Sequence, residues 1–203
     1  MKAFGLLTST VLLATQTSAF TARAFSSPTA TFLMSSNVGK TFPSGITLKE
    51  GQPDYASPLS FDLAELTSGK KVVILAVPGA FTPGCSKSHL PSFINNFDQL
   101  KSLGVDEVIC TATNDAYTMY AWGVDQGCAG KVRMLSDSSG SLMNFLGTVK
   151  DDPIMKRSER YTLIAEGGKI THFFPGVGTD GQKTPENAWA PNVIEKGLEG
   201  AKV

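Results

Sequence analysis

Cys85 closes the run Pro78-Gly79-Ala80-Phe81-Thr82-Pro83-Gly84-Cys85, and its surroundings suit nucleophilic chemistry better than those of any other residue. Ahead of it, Val72-Val73-Ile74-Leu75-Ala76-Val77 is an unbroken apolar run rich in β-branched residues. It reads as a strand buried on both faces. The prolines and glycines from Pro78 to Gly84 mark a loop. Beyond it, Leu90, Phe93, Ile94, Phe97 and Leu100 recur at helical spacing, which predicts a helix from Ser86 to Leu103. The cysteine therefore falls where a loop gives way to a helix start. Backbone N–H groups there have no intrahelical partners and the helix dipole is positive, so an anion is stabilised. A thiol in such a place ionises more readily, and the thiolate is the nucleophile. A buried, inert cysteine is the plain alternative. The loop argues against it. Thr82, three residues upstream, carries a hydroxyl able to curl back beside the sulfur. Pro83 restricts the chain and brings no competing N–H. Pro78 and Phe81 can shield the sulfur from bulk water, which strengthens local electrostatics.

The elements that must position this loop are legible further along the chain. Val105 to Thr113 reads as a second strand, followed by a helix from Ala116 to Gly123 with Asp115 as its cap. Val132 to Leu135 is a short strand and Ser141 to Leu146 a helix. Tyr161 to Ala165 and Lys169 to Phe174, separated by Glu166-Gly167-Gly168, read as a hairpin. Asn192 to Leu198 can close the chain as a helix, while Lys40 to Leu59 reads as irregular or short-strand. Strands alternating with helices and ending in a hairpin predict an α/β domain whose mixed central sheet is flanked by helices. Gly176-Val177-Gly178 follows a strand without a phosphate-binding context, so no nucleotide site is expected.

Composition narrows the function. Lys plus Arg and Asp plus Glu each number 18, so the formal charge is zero, which argues against a nucleic-acid partner. The three cysteines, Cys85, Cys110 and Cys128, form no CxxC and no Cys/His cluster at zinc spacing. Neither a metal nor a disulfide framework is expected. The position that would complete a CxxC with Cys85 is Ser88, which weakens a disulfide-oxidoreductase reading. A redox sensor, in which oxidation of Cys85 changes assembly, remains a third reading.

The segment Pro-Gly-Ala-Phe-Thr-Pro-Gly-Cys-Ser, continuing Lys87-Ser88-His89-Leu90-Pro91, resembles the type II peroxiredoxins. The likeness runs from about Val38 to the C-terminus. It includes Thr113-Asn114-Asp115, Lys131-Val132-Arg133, Arg157-Ser158-Glu159-Arg160-Tyr161 and Ala190-Pro191-Asn192. The resemblance implies a thioredoxin-like fold, reduction of hydrogen peroxide and organic hydroperoxides, a homodimer, and no cofactor. It implies Cys85 as the peroxidatic residue with Pro78, Thr82 and Arg160 around it. The chemistry supports that set independently. When a thiolate attacks a peroxide, negative charge passes from sulfur to the leaving oxygen, and a fixed cation stabilises the shift. Arg160, just before the Tyr161 strand, is the candidate cation. His89, four residues after Cys85, can tune the thiolate or simply pack. Trp122 and Trp189 read as packing residues.

Recycling is less determined. Asn187-Ala188-Trp189-Ala190 holds no cysteine where animal-type members carry a resolving one. Cys110 is the best internal candidate, because it ends the strand beside the catalytic one and matches a cysteine shared by plant members. Cys128, in Gln126-Gly127-Cys128-Ala129-Gly130, is expected in an exposed, flexible loop. An external thiol, glutaredoxin with glutathione or thioredoxin, is the expected reductant.

Residues 1–36 read as a cleavable bipartite targeting presequence, and residues 37–203 as the peroxiredoxin-like domain. Lys2, the apolar run Phe4 to Ala14 and the small residues Thr17-Ser18-Ala19 have the order of a signal peptide over residues 1–19. The run is too short to span a bilayer, so no membrane anchor is expected. Residues 20–36 are rich in Ser, Thr and Ala, hold Arg23 and no acid, and read as transit-like. Without residues 1–36, which hold two of the 18 bases and none of the acids, 16 basic residues face 18 acidic ones. Ala19-Phe20 resembles the junction of two-step plastid presequences in algae with complex plastids. Plastid delivery is the expectation, with the secretory pathway or mitochondrion as alternatives.

Overall fold

The structure, a computed structural model, describes residues 37–150, 152–177 and 181–200. The expected presequence and Gly178 lie outside them. Among the described residues, seven strands form one mixed sheet in the order β2-β1-β5-β4-β3-β8-β9. The strands are β1 (Thr47–Glu50), β2 (Leu59–Asp62), β3 (Lys71–Ala76), β4 (Glu107–Ala112), β5 (Arg133–Ser136), β8 (Tyr161–Glu166) and β9 (Lys169–Pro175). β3, β4 and β5 are parallel, while β8 and β1 run antiparallel to β3 and β5. A separate two-stranded hairpin pairs β6 (Val149–Lys150) with β7 (Arg157–Ser158).

After Lys71 the β3 run is apolar at every position through Val77 because both of its faces are covered. Val73, Leu75 and Val77 enter one core, and Val72, Ile74 and Ala76 the other. This is the two-residue alternation of a strand, with helices on both faces. One core is closed by α1 (Leu63–Thr67) and α5 (Ser141–Leu146) through Leu63, Leu142 and Leu146. The other takes Leu90 and Phe93 of α2 (Leu90–Asn95), Leu100 of α3 (Phe97–Ser102), Met119 and Trp122 of α4 (Ala116–Asp125), and Val193 of α6 (Ala190–Val193). Asp115 caps α4 as expected, its carboxylate accepting the Thr118 N–H at 2.9 Å. The Gly167-Gly168 turn joins β8 to β9, both glycines in the left-handed region where they are least strained.

The stretch read as irregular or short-strand holds the short strand β1, which pairs with β2 on one side and β5 on the other. One expectation is revised. The helix read from Ser86 to Leu103 is broken at Asn96, whose φ/ψ of −105°/17° is not helical and whose side chain donates to the Ser92 carbonyl. Such local side-chain bonding competes with the helical ladder.

Candidate active site

Helical geometry begins at Pro83, two residues before Cys85, so the cysteine sits in the first turn rather than ahead of it. Proline suits the first helical position, where its missing N–H costs nothing. The Thr82 carbonyl accepts the N–H groups of Cys85 and Ser86 at 3.1 and 2.9 Å. The next turn is wider than an α-helix: over Cys85–His89 the Leu90 N–H reaches back to the Cys85 carbonyl. Pro91 follows with no N–H to give, which favours this π-type turn. Such turns concentrate at functional sites.

Cys85 is completely buried. Arg160 Nη2 lies 3.3 Å from its Sγ. Arg160 Nη1 is buried as well and, among the described residues, has no hydrogen-bond partner. Two glycines make room for this side chain. A Cβ on Gly176 would come within 3.0 Å of three Arg160 side-chain atoms, and one on Gly84 within 3.4 Å of Nη2. Among the described residues no carboxylate forms an ion pair with Arg160.

The preceding loop is tightly tied. Thr82 Oγ1 donates to the Gly79 carbonyl at 2.9 Å. Its hydroxyl proton is therefore committed, and its lone pairs are left as acceptors. Pro78 is half-buried, and its carbonyl accepts from Arg157 Nη1 at 2.9 Å. The Ala80 N–H donates to Asn114 Oδ1 at 2.9 Å. Phe81 is exposed, sits at φ 58°, and tilts toward Trp122 with ring centroids 6.5 Å apart. Trp122 is fully buried and donates from Nε1 to Ser86 Oγ, as a packing residue does. Arg157 and Asn114 escaped the sequence reading. Both lie inside segments that carry the family resemblance, but which of their neighbours touch the loop is a matter of tertiary structure.

His89 belongs to the frame around the site. It is fully buried, with Nε2 2.9 Å from the Ala188 carbonyl and 3.2 Å from Thr162 Oγ1. Bonding to that carbonyl makes Nε2 the protonated nitrogen. Burial, reinforced by the Arg160 charge and opposed by the Ala188 carbonyl, pushes its pKa down to about 3. A neutral His89 thus ties the cysteine helix to β8 and to the 3-10 turn Pro185–Ala188.

The other cysteines are buried and unbridged. Cys110 does not end its strand. It lies inside β4, paired with Leu75 on one side and Met134 on the other. Burial, with the neighbouring Cys128 and Cys85, drives its pKa well above the ordinary value. The expectation of an exposed Cys128 is overturned: its side chain packs into the core at 3% exposure. The loop backbone bends outward, but the Cys128 N–H and carbonyl are held by Gly123 and by Lys131 and Val132. Burial raises this thiol to about 11. Among the described residues no group of His, Cys, Asp and Glu is placed to hold a metal.

A family model described as Redoxin matches residues 37–189. The chain is 36% identical over 161 residues to the chloroplastic peroxiredoxin-2E of Arabidopsis thaliana, covering 77% of this chain and 68% of that one. It is 39% identical to peroxiredoxin-2B of the same plant, covering 66% and 83%. Among solved structures it is similar to reduced Prx3 of Vibrio vulnificus in complex with hydrogen peroxide. That likeness has a TM-score of 0.72 and 36% identity, and covers 81% of this chain and 96% of that one. Fold, matched family and relatives agree: the chain belongs to the Redoxin family as a type II peroxiredoxin, a thiol-dependent peroxidase with a thioredoxin-like fold.

Proposed function

We propose that Cys85 is the peroxidatic nucleophile, and that Arg160, Thr82 and Pro78 complete its site. The observation that carries this reading is the Arg160 guanidinium: one nitrogen lies 3.3 Å from Sγ, and the other is buried without a partner. A buried donor without a partner costs free energy, and a peroxide oxygen arriving beside the sulfur would satisfy it. In the step proposed, the Cys85 thiolate attacks one peroxide oxygen. The S–O bond forms as the O–O bond breaks. The second oxygen leaves as hydroxide or alkoxide and takes up a proton to become water or alcohol, and Cys85 is left as a sulfenic acid. Arg160 follows the charge from sulfur to the leaving oxygen. Thr82, its proton held by Gly79, accepts from the peroxide O–H and so orients it.

Return to the thiol requires a second thiol to attack the sulfenic acid. The mid-strand position and raised pKa of Cys110 make it a poor attacker, and a disulfide needs Cα atoms within about 7 Å in suitable orientation. The burial of Cys128 argues in the same direction. An external thiol, glutathione with glutaredoxin or thioredoxin, is therefore the reductant of this reading. The protein acts as a homodimer, and residues 1–36 deliver residues 37–203 to the plastid. The chloroplastic relative supports that destination.

Stopped-flow measurement of Cys85→Ser tests the central step. The variant should consume no peroxide in a single turnover, while Cys110→Ser and Cys128→Ser should react at the wild-type rate. Normal consumption by Cys85→Ser sinks the reading. A fusion of residues 1–40 to a fluorescent protein tests delivery, and its secretion to the medium would exclude the plastid.

A further inference from the structure

We infer that Arg157 is a positioning residue for peroxide reduction: oriented by Asp152, it fixes the Pro78 carbonyl and with it the turn that carries Thr82 to the cysteine helix. The inference rests on the reading of Cys85 as nucleophile. Arg157 opens β7, the return strand of the small hairpin, and Asp152 belongs to the hairpin's connecting segment. The Asp152 carboxylate is itself held. Its Oδ1 accepts the N–H groups of Ile154 and Met155 at 3.0 and 3.3 Å, and its Oδ2 accepts from Arg157 Nε at 3.0 Å. Those N–H groups, together with the Arg157 charge, keep the carboxyl below its ordinary range, so it stays ionised at neutral pH. Because a guanidinium is planar and rigid, fixing Nε also aims Nη1.

Nη1 donates to the Pro78 carbonyl at 2.9 Å, just beyond the end of β3. The guanidinium lies so close against the backbone that a Cβ on Gly79 would collide with Nη1. The next carbonyl, that of Gly79, receives the Thr82 hydroxyl, and the Ala80 N–H is held by Asn114. Three successive residues are thus fixed, Pro78 by Arg157, Gly79 by the Thr82 hydroxyl and Ala80 by Asn114. Thr113 Oγ1 donates to the Lys156 carbonyl at 2.7 Å, tying the hairpin to the end of β4. Only Ser158 and Glu159 separate Arg157 from Arg160. One short segment therefore supplies both the guanidinium at the sulfur and the guanidinium that holds the facing loop.

The consequence is selective. Peroxide reduction requires sulfur, Thr82 and Arg160 in register, whereas alkylation by iodoacetamide requires a reactive Cys85 thiolate alone. In Arg157→Met the second-order rate with hydrogen peroxide should fall roughly 10- to 100-fold, with Cys85 alkylation by iodoacetamide within about twofold of wild type. Arg157→Lys, which keeps one donor for Pro78, should recover part of the loss. Should Arg157→Met fail to fold, Asp152→Asn at the hairpin reads the same effect, with a peroxide rate about three- to tenfold lower and alkylation unchanged. A peroxide rate within about twofold of wild type in the folded variant overturns the inference, as do equal losses in both reactions. If instead Cys85→Ser still reduces peroxide, the nucleophile assignment is what fails.

Discussion

Two arginines at opposite ends of the sheet have opposite surroundings. Arg133 opens β5 and has a carboxylate partner on each of its three guanidinium nitrogens. Nε meets both Glu50 carboxylate oxygens at 3.1 Å, Nη2 meets Glu50 at 2.7 Å, and Nη1 meets Glu107 at 3.0 Å. Its guanidinium carbon also lies 4.2 Å over the Phe61 ring. Arg160, just ahead of β8, meets a sulfur on Nη2 and, among the described residues, nothing on Nη1. The first arrangement engages every guanidinium nitrogen in holding strands together. The second keeps a donor in reserve where charge will develop. That reserve is what separates a structural arginine from a poised one, since removing a partner from a satisfied network destabilises the fold, whereas an unmet donor gains only when substrate arrives.

The largest effect that follows is on Arg160→Met. Its peroxide rate should fall about 10²- to 10³-fold, as for loss of a preorganised donor at a developing anion. Its stability should hold or rise slightly, because an unpartnered buried group is removed. Urea unfolding beside stopped-flow kinetics reads both, and a normal rate would erase the distinction drawn between the two arginines.

The next effect is one of pH, through the neutral His89 beside Arg160. Its folded pKa, about 3, lies below the ordinary imidazole value of 6.5. Between these values the unfolded chain binds the extra proton, so stability rises with pH. The contribution is fully present above about pH 6.5 and is lost as pH falls toward 3. Urea midpoints should drop by the equivalent of roughly 2–3 kcal/mol between pH 6.5 and 4.5, and the drop should be much smaller in His89→Gln. An equal acid limb in the two proteins would show that His89 is not its source.

Arg133→Met should give the mirror image of Arg160→Met: a loss of about 1–3 kcal/mol of stability from stranding Glu50 and leaving Glu107 with Lys70 alone, with an unchanged peroxide rate in the folded protein. A slowed rate would mean that the far end of the sheet is coupled to the site. The smallest expected effect belongs to Cys128→Ser. Its peroxide turnover with glutathione and glutaredoxin should match wild type, at a stability cost of about 1 kcal/mol for a hydroxyl in a thiol's buried place. Loss of turnover would make Cys128 a participant in recycling.

The sequence displays some of this arrangement and hides the rest for identifiable reasons. The β3 strand is legible because burial on both faces demands an unbroken apolar run, and the site loop because its prolines and glycines punctuate it. Arg133 and Arg160 look alike in sequence, each an isolated arginine at a strand start. The family resemblance singles out Arg160, but only the tertiary placement of Glu50 and Glu107 shows what occupies Arg133. Cys128 misleads because its glycine-flanked backbone is exposed in character while its side chain turns inward. The Asn96 break is hidden because the apolar spacing continues across it. The Pro78 clamp is hidden because its donor, Arg157, lies 79 residues away along the chain.

The most direct test of the account is to locate the sulfenic acid. Wild-type protein is treated with one equivalent of hydrogen peroxide in the presence of dimedone, digested, and mapped by mass spectrometry across Cys85, Cys110 and Cys128. The account predicts an adduct on Cys85 alone, formed at the rate of peroxide consumption and absent from Cys85→Ser. An adduct of comparable yield on Cys110 or Cys128, with Cys85 unmodified, would contradict it.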